Sequence, residues 1–219
     1  MNELYQLLTG PMLWLTFFVF TFGTLYKLLS ILVLTIQKEP FIMSVFSFKY
    51  GMRSILSWMT PFKPVSMKKH PVLSSVIYVF HICLFIAPLF LMAHITLLDE
   101  SWGLVWPSLS DSLIDYLTLI VLACCLFYFI RRLTQKEVNY LTSQSDYILL
   151  AIVALPFFTG LMAYHQWFAY GFFLNLHILS GEIMLMAIPF TRLSHMIISP
   201  LTRAYMGSEF GEIRHAKDW

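Results

Sequence analysis

An all-α integral membrane protein is expected here: five helices bundled across the bilayer, with the N-terminus outside and the C-terminus cytoplasmic. Three observations lead to it. The composition is 58% hydrophobic and 17% aromatic with only 12% charged residues, and the mean hydropathy is +0.73; soluble domains do not have this profile. Five apolar runs are long enough to cross a hydrocarbon core. Apart from Lys27, late in the first run, the basic residues are confined to alternate connections and the C-terminal tail, which is the positive-inside pattern.

The spans are expected at about 11–36, 72–97, 112–130, 146–164 and 171–198. In the fifth, the apolar run ends near 191 and the helix is expected to continue. Residues 1–219 then form a single membrane domain without internal repeats. The first run is preceded by Glu3 and by no Lys or Arg, so it is expected to stay as a helix rather than act as a cleaved signal peptide. Lys38, Lys49, Arg53, Lys63, Lys68 and Lys69 lie between spans one and two. Arg131, Arg132 and Lys136 lie between three and four, and Arg192, Arg203, Arg214 and Lys217 come after the fifth apolar run. The 98–111 loop carries Asp99, Glu100 and Asp111 instead. These charges set the orientation.

Residues 41–64 mix aromatic and basic side chains. Two compatible readings are an interfacial amphipathic helix on the cytoplasmic membrane lipid and a partner-docking surface. Trp58, Trp102, Trp106 and Trp167 fit aromatic belts. No basic cluster is interleaved with aromatics on a soluble surface, so nucleic acid binding has no support. Cys83, Cys124 and Cys125 all fall in apolar runs, as packing residues rather than a disulfide framework. No CxxCH is present, so this chain attaches no c-type haem.

Seven histidines are present. His70, His165 and His215 fall at span edges or in the tail and are expected to bind no metal. His81 and His94 fall in span two, His177 and His195 in span five. Imidazoles in hydrocarbon are costly and point to function. His177 and His195 are 18 residues apart, about five turns, so both face one side roughly 27 Å apart on a continuous helix. Because spans two and five run in opposite directions, His81 pairs in depth with His195, and His94 with His177. Two histidines from facing helices at one depth are what bis-imidazole haem ligation needs. His81 and His94, 13 residues apart, differ by about 220° and roughly 20 Å on a straight helix. Pro88 is expected to kink or unwind that helix, and tilt and Pro189 must absorb the rest. His70 is a rival ligand, 11 residues before His81 and nearly on its face, but it stands among charges. The four buried histidines also admit a plain reading as polar glue between helices. Zinc lacks an HExxH motif or cysteines at ligand spacing.

Other residues carry paired readings. Gly181, one turn from His177, admits a flat macrocycle or merely close helix packing. Arg192 neutralises a haem propionate or anchors the inner surface. Glu182 is an intramembrane carboxylate able to carry a proton or bond a quinone, or a neutral acid bonded between helices. Asp146 is expected to cap span four. Asp111 and Asp115 cap span three or accept quinol protons.

The stretch "LHILSGEIMLMAIPFTRLSHMIISPLTRAY" (176–205) resembles the fifth helix of the gamma subunit of respiratory nitrate reductase, a membrane cytochrome b. The shared frame is Leu176, His177, Gly181, Pro189, Phe190, Thr191, Arg192, Leu193, His195, Pro200, Arg203 and Tyr205. "SQSDYILLAIVALPFFTGL" (143–161) is similar to that family's fourth helix and "FH…H" on span two to its second. The resemblance implies a five-helix di-haem cytochrome b in a bacterial or archaeal cytoplasmic membrane. It assigns His81 and His195 to the iron of the inner haem b, and His94 and His177 to the iron of the outer one. It also implies oxidation of a quinol, menaquinol or ubiquinol, near the outer haem, and a cytoplasmic iron–sulfur partner.

Three differences stand out: the 13-residue histidine spacing, an outer loop without lysine, and Glu182. They fit the divergent branch found in heterodisulfide-reductase-like and sulfate-reducer transmembrane redox complexes. For that branch the partner is a heterodisulfide-reductase-like or ferredoxin-like iron–sulfur protein, and a periplasmic multihaem cytochrome c exchanges electrons outside. Such a chain is an electron-transfer subunit, catalytic alone only at a quinone site. The competing class is a non-redox anchor or small transporter with hydrogen-bonding histidines. A transporter predicts broken helices in related halves.

Overall fold

A computed structural model describes residues 3–219, positions 42 and 43 by backbone alone. Among the described residues the regular elements are helical and no strand occurs. Five helices are long and apolar enough to cross a membrane: α1 (Glu3–Lys38), α3 (Pro71–Phe90), α5 (Asp111–Thr134), α6 (Gln144–His165) and α7 (Tyr170–Ala187). Three others are α2 (Phe48–Met59), α4 (Met92–Trp102) and α8 (His195–Ser208). Each of the five expected spans contains one of these helices, but two have different anatomy.

The second expected span, 72–97, is two helices. α3 ends at Phe90, Leu91 is extended (φ −73°, ψ 125°), and α4 starts at Met92. Pro88 has no N–H for the last turn of α3, which weakens it. The break strips the carbonyls of residues 88, 89 and 90 of their helical donors. Each finds a substitute. His94 Nδ1 donates to Pro88 O at 2.8 Å, Trp106 Nε1 to Leu89 O at 2.8 Å, and the Leu109 amide to Phe90 O at 3.0 Å. Three donors from outside α3 thus take the places of the missing helical amides. α4 then closes on Gly103 in the left-handed conformation (φ 66°).

The fifth run does not continue as one helix to 198. α7 stops at Ala187, Pro189 removes a donor, and Thr191 is extended (φ −121°, ψ −174°). The Thr191 hydroxyl spans the gap. It donates to Ala187 O at 2.7 Å and accepts from the Leu193 amide at 3.2 Å. A short 3₁₀ turn, Arg192–Ser194, leads into α8. The expected single face carrying His177 and His195 over about five turns is therefore corrected: the two residues stand on separate helices.

The chain forms two compact units, one from the chain up to Pro11 with Val76–Met184, the other from Met12–Ser75 with Leu185–Trp219. In the first, Cys83, Val121 and Cys125 form a buried cluster with Phe80, Leu84, Leu117, Leu150, Ala154 and Phe157 around it. All three cysteines are free and buried, as their apolar setting implies. α6 opens on a capping box. Ser143 is the cap residue, and Asp146 reaches back to its amide at 2.8 Å. Asp146 thus serves the cap reciprocally rather than as the cap residue itself.

In the second unit α2 packs on α8 through small residues. A Cβ on Gly51 would lie 3.2 Å from Ala204 Cα, and one on Gly207 would lie 2.5 Å from both Tyr50 O and Ser54 Cβ. Ser208 Oγ accepts from the Ser47 amide at 3.1 Å. The Arg203 guanidinium covers the Trp58 ring at 3.6 Å. Backbones this close gain dispersion contacts.

Gly207→Ala is expected to force α2 off α8 and lower stability by about 1–3 kcal/mol. Thermal unfolding in detergent checks this. Gly171→Ala, where a Cβ meets nothing within 4 Å, should leave the transition unchanged or slightly raised.

Candidate functional site

His94 and His177 come together in the first unit. Their ring centres are 5.9 Å apart and their planes differ by 11°. Rings in full face-to-face contact would stand at about 3.5–4 Å, so the pair is not closely stacked. A metal ion takes each imidazole nitrogen at about 2 Å. Two opposed nitrogens on one ion are then about 4 Å apart, with ring centres somewhat further. The spacing found is compatible with one ion held between the rings.

The hydrogen bonds decide which nitrogen is available. A backbone carbonyl can only accept, so an Nδ1 bonded to one carries the proton. In a neutral ring this leaves Nε2 with the lone pair. His94 Nδ1 donates to Pro88 O at 2.8 Å and His177 Nδ1 to Pro156 O at 2.8 Å. His81 Nδ1 donates to Ile77 O at 2.7 Å and His195 Nδ1 to Arg192 O at 2.8 Å. All four residues expected as ligands thus share one tautomer, with Nε2 in the ligating form. The two sets are held differently. His81 and His195 use carbonyls three or four residues back on their own chain turn. His94 is held across the Leu91 break, and His177 by a neighbouring helix.

The His177 ring rests in a recess made by α6. A Cβ at Gly160 would come within 2.9 Å of both Cε1 and Nδ1 of that ring. Pro156 supplies the carbonyl, and Gly160, four residues on, removes the side chain that would block access to it. Ser180, buried on α7, donates to His177 O at 3.0 Å and meets the Thr159 hydroxyl at 3.3 Å. None of Pro156, Thr159, Gly160 or Ser180 was singled out by the sequence. A proline followed four residues later by glycine in an apolar helix is the trace they leave.

A Cβ on Gly181 would meet nothing within 4 Å, so the backbone one turn from His177 is open on that side. Glu182 is only 3% exposed, and both its carboxylate oxygens have no hydrogen-bond partner among the described residues. An unpaired buried charge costs several kcal/mol, so this carboxyl calls for a partner that the described residues do not supply. The expected bond from Glu182 to a neighbouring helix is absent among the described residues. Arg192 meets His195 through its carbonyl.

Other expectations fall away from this centre. His165 pairs with Asp115 at 3.0 Å and stacks on Trp167 at 4.8 Å. Asp115 is therefore a partner of His165 rather than a cap, and Asp111 is the first residue of α5, behind Ser110. His70 ends the short turn Val65–Lys69 and is exposed. Among the described residues no three His, Cys, Asp or Glu side chains gather as a metal cage. The His94–His177 pair thus offers two nitrogen ligands and no third.

No family model and no solved structure matches the chain. A protein of Nitratidesulfovibrio vulgaris (strain Hildenborough), named simply "Protein", is 31% identical over 213 residues. The match covers 94% of this chain and 93% of the relative. The chain belongs to the family of that Nitratidesulfovibrio vulgaris protein.

Proposed function

We propose that the chain is a di-haem cytochrome b subunit of a respiratory redox complex. It passes electrons across the membrane between a quinone pool, with a periplasmic multihaem cytochrome c as a further donor or acceptor, and a cytoplasmic iron–sulfur subunit. The reading includes the orientation that the basic residues imply, N-terminus outside. The observation that carries it is the His94–His177 pair: near-parallel rings 5.9 Å apart, each with Nδ1 tied to a carbonyl. Haem, when bound, supplies one-electron chemistry. The chain's own part is to hold each ring, fix its tautomer and keep the centre dry. His81 and His195 are the ligands that the resemblance gives a second haem. Each is prepared with the same tautomer in its own unit. Gly181 leaves open backbone for a flat ligand beside His177, and Arg192 supplies a cation for a propionate. The heterodisulfide-reductase-like or ferredoxin-like partner fits the divergent branch, and the relative's source, a sulfate reducer, accords with it.

Glu182 takes the proton or quinone role in this reading. It lies five residues, about 7.5 Å of helix, from His177. A buried carboxyl without a protein partner is where a quinone oxygen or a proton in transit finds a bond.

The reading is tested first by a dithionite-reduced minus oxidised spectrum of the purified chain with a pyridine haemochrome count. Two b haems per polypeptide are expected; no haem in a folded preparation overturns the proposal. His94→Ala should remove one haem and leave the other, and losing both or neither would break the pairing. Gly160→Ala should leave the haem count at two but shift one midpoint potential and its low-spin EPR signal, because it displaces the His177 ring from Pro156 O. An unchanged EPR spectrum would show that the recess does not set the ligand. Glu182→Gln is expected to slow quinol turnover on the order of 10²-fold with both haems retained; equal turnover would reduce Glu182 to packing.

A further inference from the structure

α2 is built inside out. Its buried residues are Gly51, Ser54 and Ser57, at intervals of three, set against α8. Its bulky apolar residues point the other way. Phe48 is 72% exposed, Met52 38%, Leu56 57% and Met59 68%, and their spacing of four, four and three puts them in one stripe. The stripe and the small-residue seam lie on opposite sides of the helix at about 100° per residue. A helix in water would turn these faces round.

The chain on either side says what covers the stripe. α1 ends at Lys38 and α3 begins at Pro71, two successive apolar helices that hold α2 at one membrane face. Residues 39–47, the tether to α1, reach at most about 30 Å. Between Glu39 and Asp99 there is no acidic residue, while Lys49, Arg53, Lys63, Lys68 and Lys69 are present. Two of these cations are taken up by the chain's own end. Arg53 donates to Ala216 O at 3.1 Å and lies over the Tyr50 and Trp219 rings, and Lys63 lies over Trp219. Lys49, flanking the stripe, and Lys68 and Lys69, at the entry to α3, are exposed. An uncharged stripe of flexible Phe, Met and Leu side chains with lysines at its edges matches acyl chains below a layer of phosphates.

We infer that α2 lies in the membrane–water interface, with Phe48, Met52, Leu56 and Met59 inserted among the lipid acyl chains and Lys49, Lys68 and Lys69 at the phosphate level. The seam of Gly51, Ser54 and Ser57 on α8 and the C-terminal tail over Arg53 and Lys63 then form one platform bound to the bilayer. The inference is independent of whether the histidines hold haem.

The test uses the full chain in phosphatidylglycerol-containing nanodiscs. Leu56→Cys or Met59→Cys carries a spin label; the native cysteines are buried and escape labelling. Collisions with oxygen should exceed collisions with an aqueous nickel chelate several-fold at Leu56 and Met59. The ratio should reverse at Glu212→Cys, an exposed position on the tail side. If the labels on α2 meet nickel as freely as the label at 212, the stripe faces water in the isolated chain and awaits a protein partner instead, which overturns the lipid assignment.

Discussion

A carbonyl released by a helix break must find another donor, and most of what distinguishes this chain follows from how it meets that constraint. At Leu91 three successive carbonyls lose their helical donors and three donors arrive from elsewhere: an imidazole, an indole and a loop amide. Each bond contributes only about 0.5–1.5 kcal/mol net, but each left unmade would cost more than it contributes. The break is therefore stable only as a set. The same set fixes the direction of the His94 ring. A structural repair and the preparation of a ligand are one bond here, so the imidazole cannot rotate freely without reopening the helix end.

His177 is anchored from the other side of the pair. Its Nδ1 proton reaches the Pro156 carbonyl because residue 160 has no side chain. Two rings anchored to two different backbone segments can keep a small plane angle and a gap between them. Here the Nδ1 of each histidine donates to a backbone carbonyl, and the ring centres stand 5.9 Å apart.

Much of this was legible in the sequence, for physical reasons. A transmembrane helix needs its whole length apolar, so five spans are readable from local composition alone. Pro88 announced trouble in span two because proline removes a donor wherever it stands. Pro189 carried the same warning in span five, yet the apolar run through it reads as continuous; the hydroxyl of Thr191 is what lets the chain stop and restart there, and nothing local to residue 191 marks it. Gly160 was illegible for a deeper reason. Its meaning lies in the ring of a residue seventeen positions away, on another helix. Asp115 likewise reads as a cap until His165 is set beside it. Single-residue chemistry is local, and the surroundings that give it a role are not.

The inverted helix α2 shows how far the solvent decides what counts as a core. In water the stripe of Phe48, Met52, Leu56 and Met59 would be the buried face, because removing apolar area from water is the dominant gain. Beside a bilayer that gain is available outward, to acyl chains, and no longer discriminates between protein and lipid. What remains to hold α2 on α8 is close approach, and close approach selects glycine and serine. The seam of Gly51, Ser54, Ala204 and Gly207 and the outward apolar stripe are thus two consequences of one environment. The same reasoning covers α1, whose large side chains Trp14, Phe18, Phe22 and Leu29 are exposed while Thr16 and Gly23 are buried. There Gly23 makes room for Pro189 and Phe190, so the turn that ends the fifth span is packed by the absence of a side chain on the first.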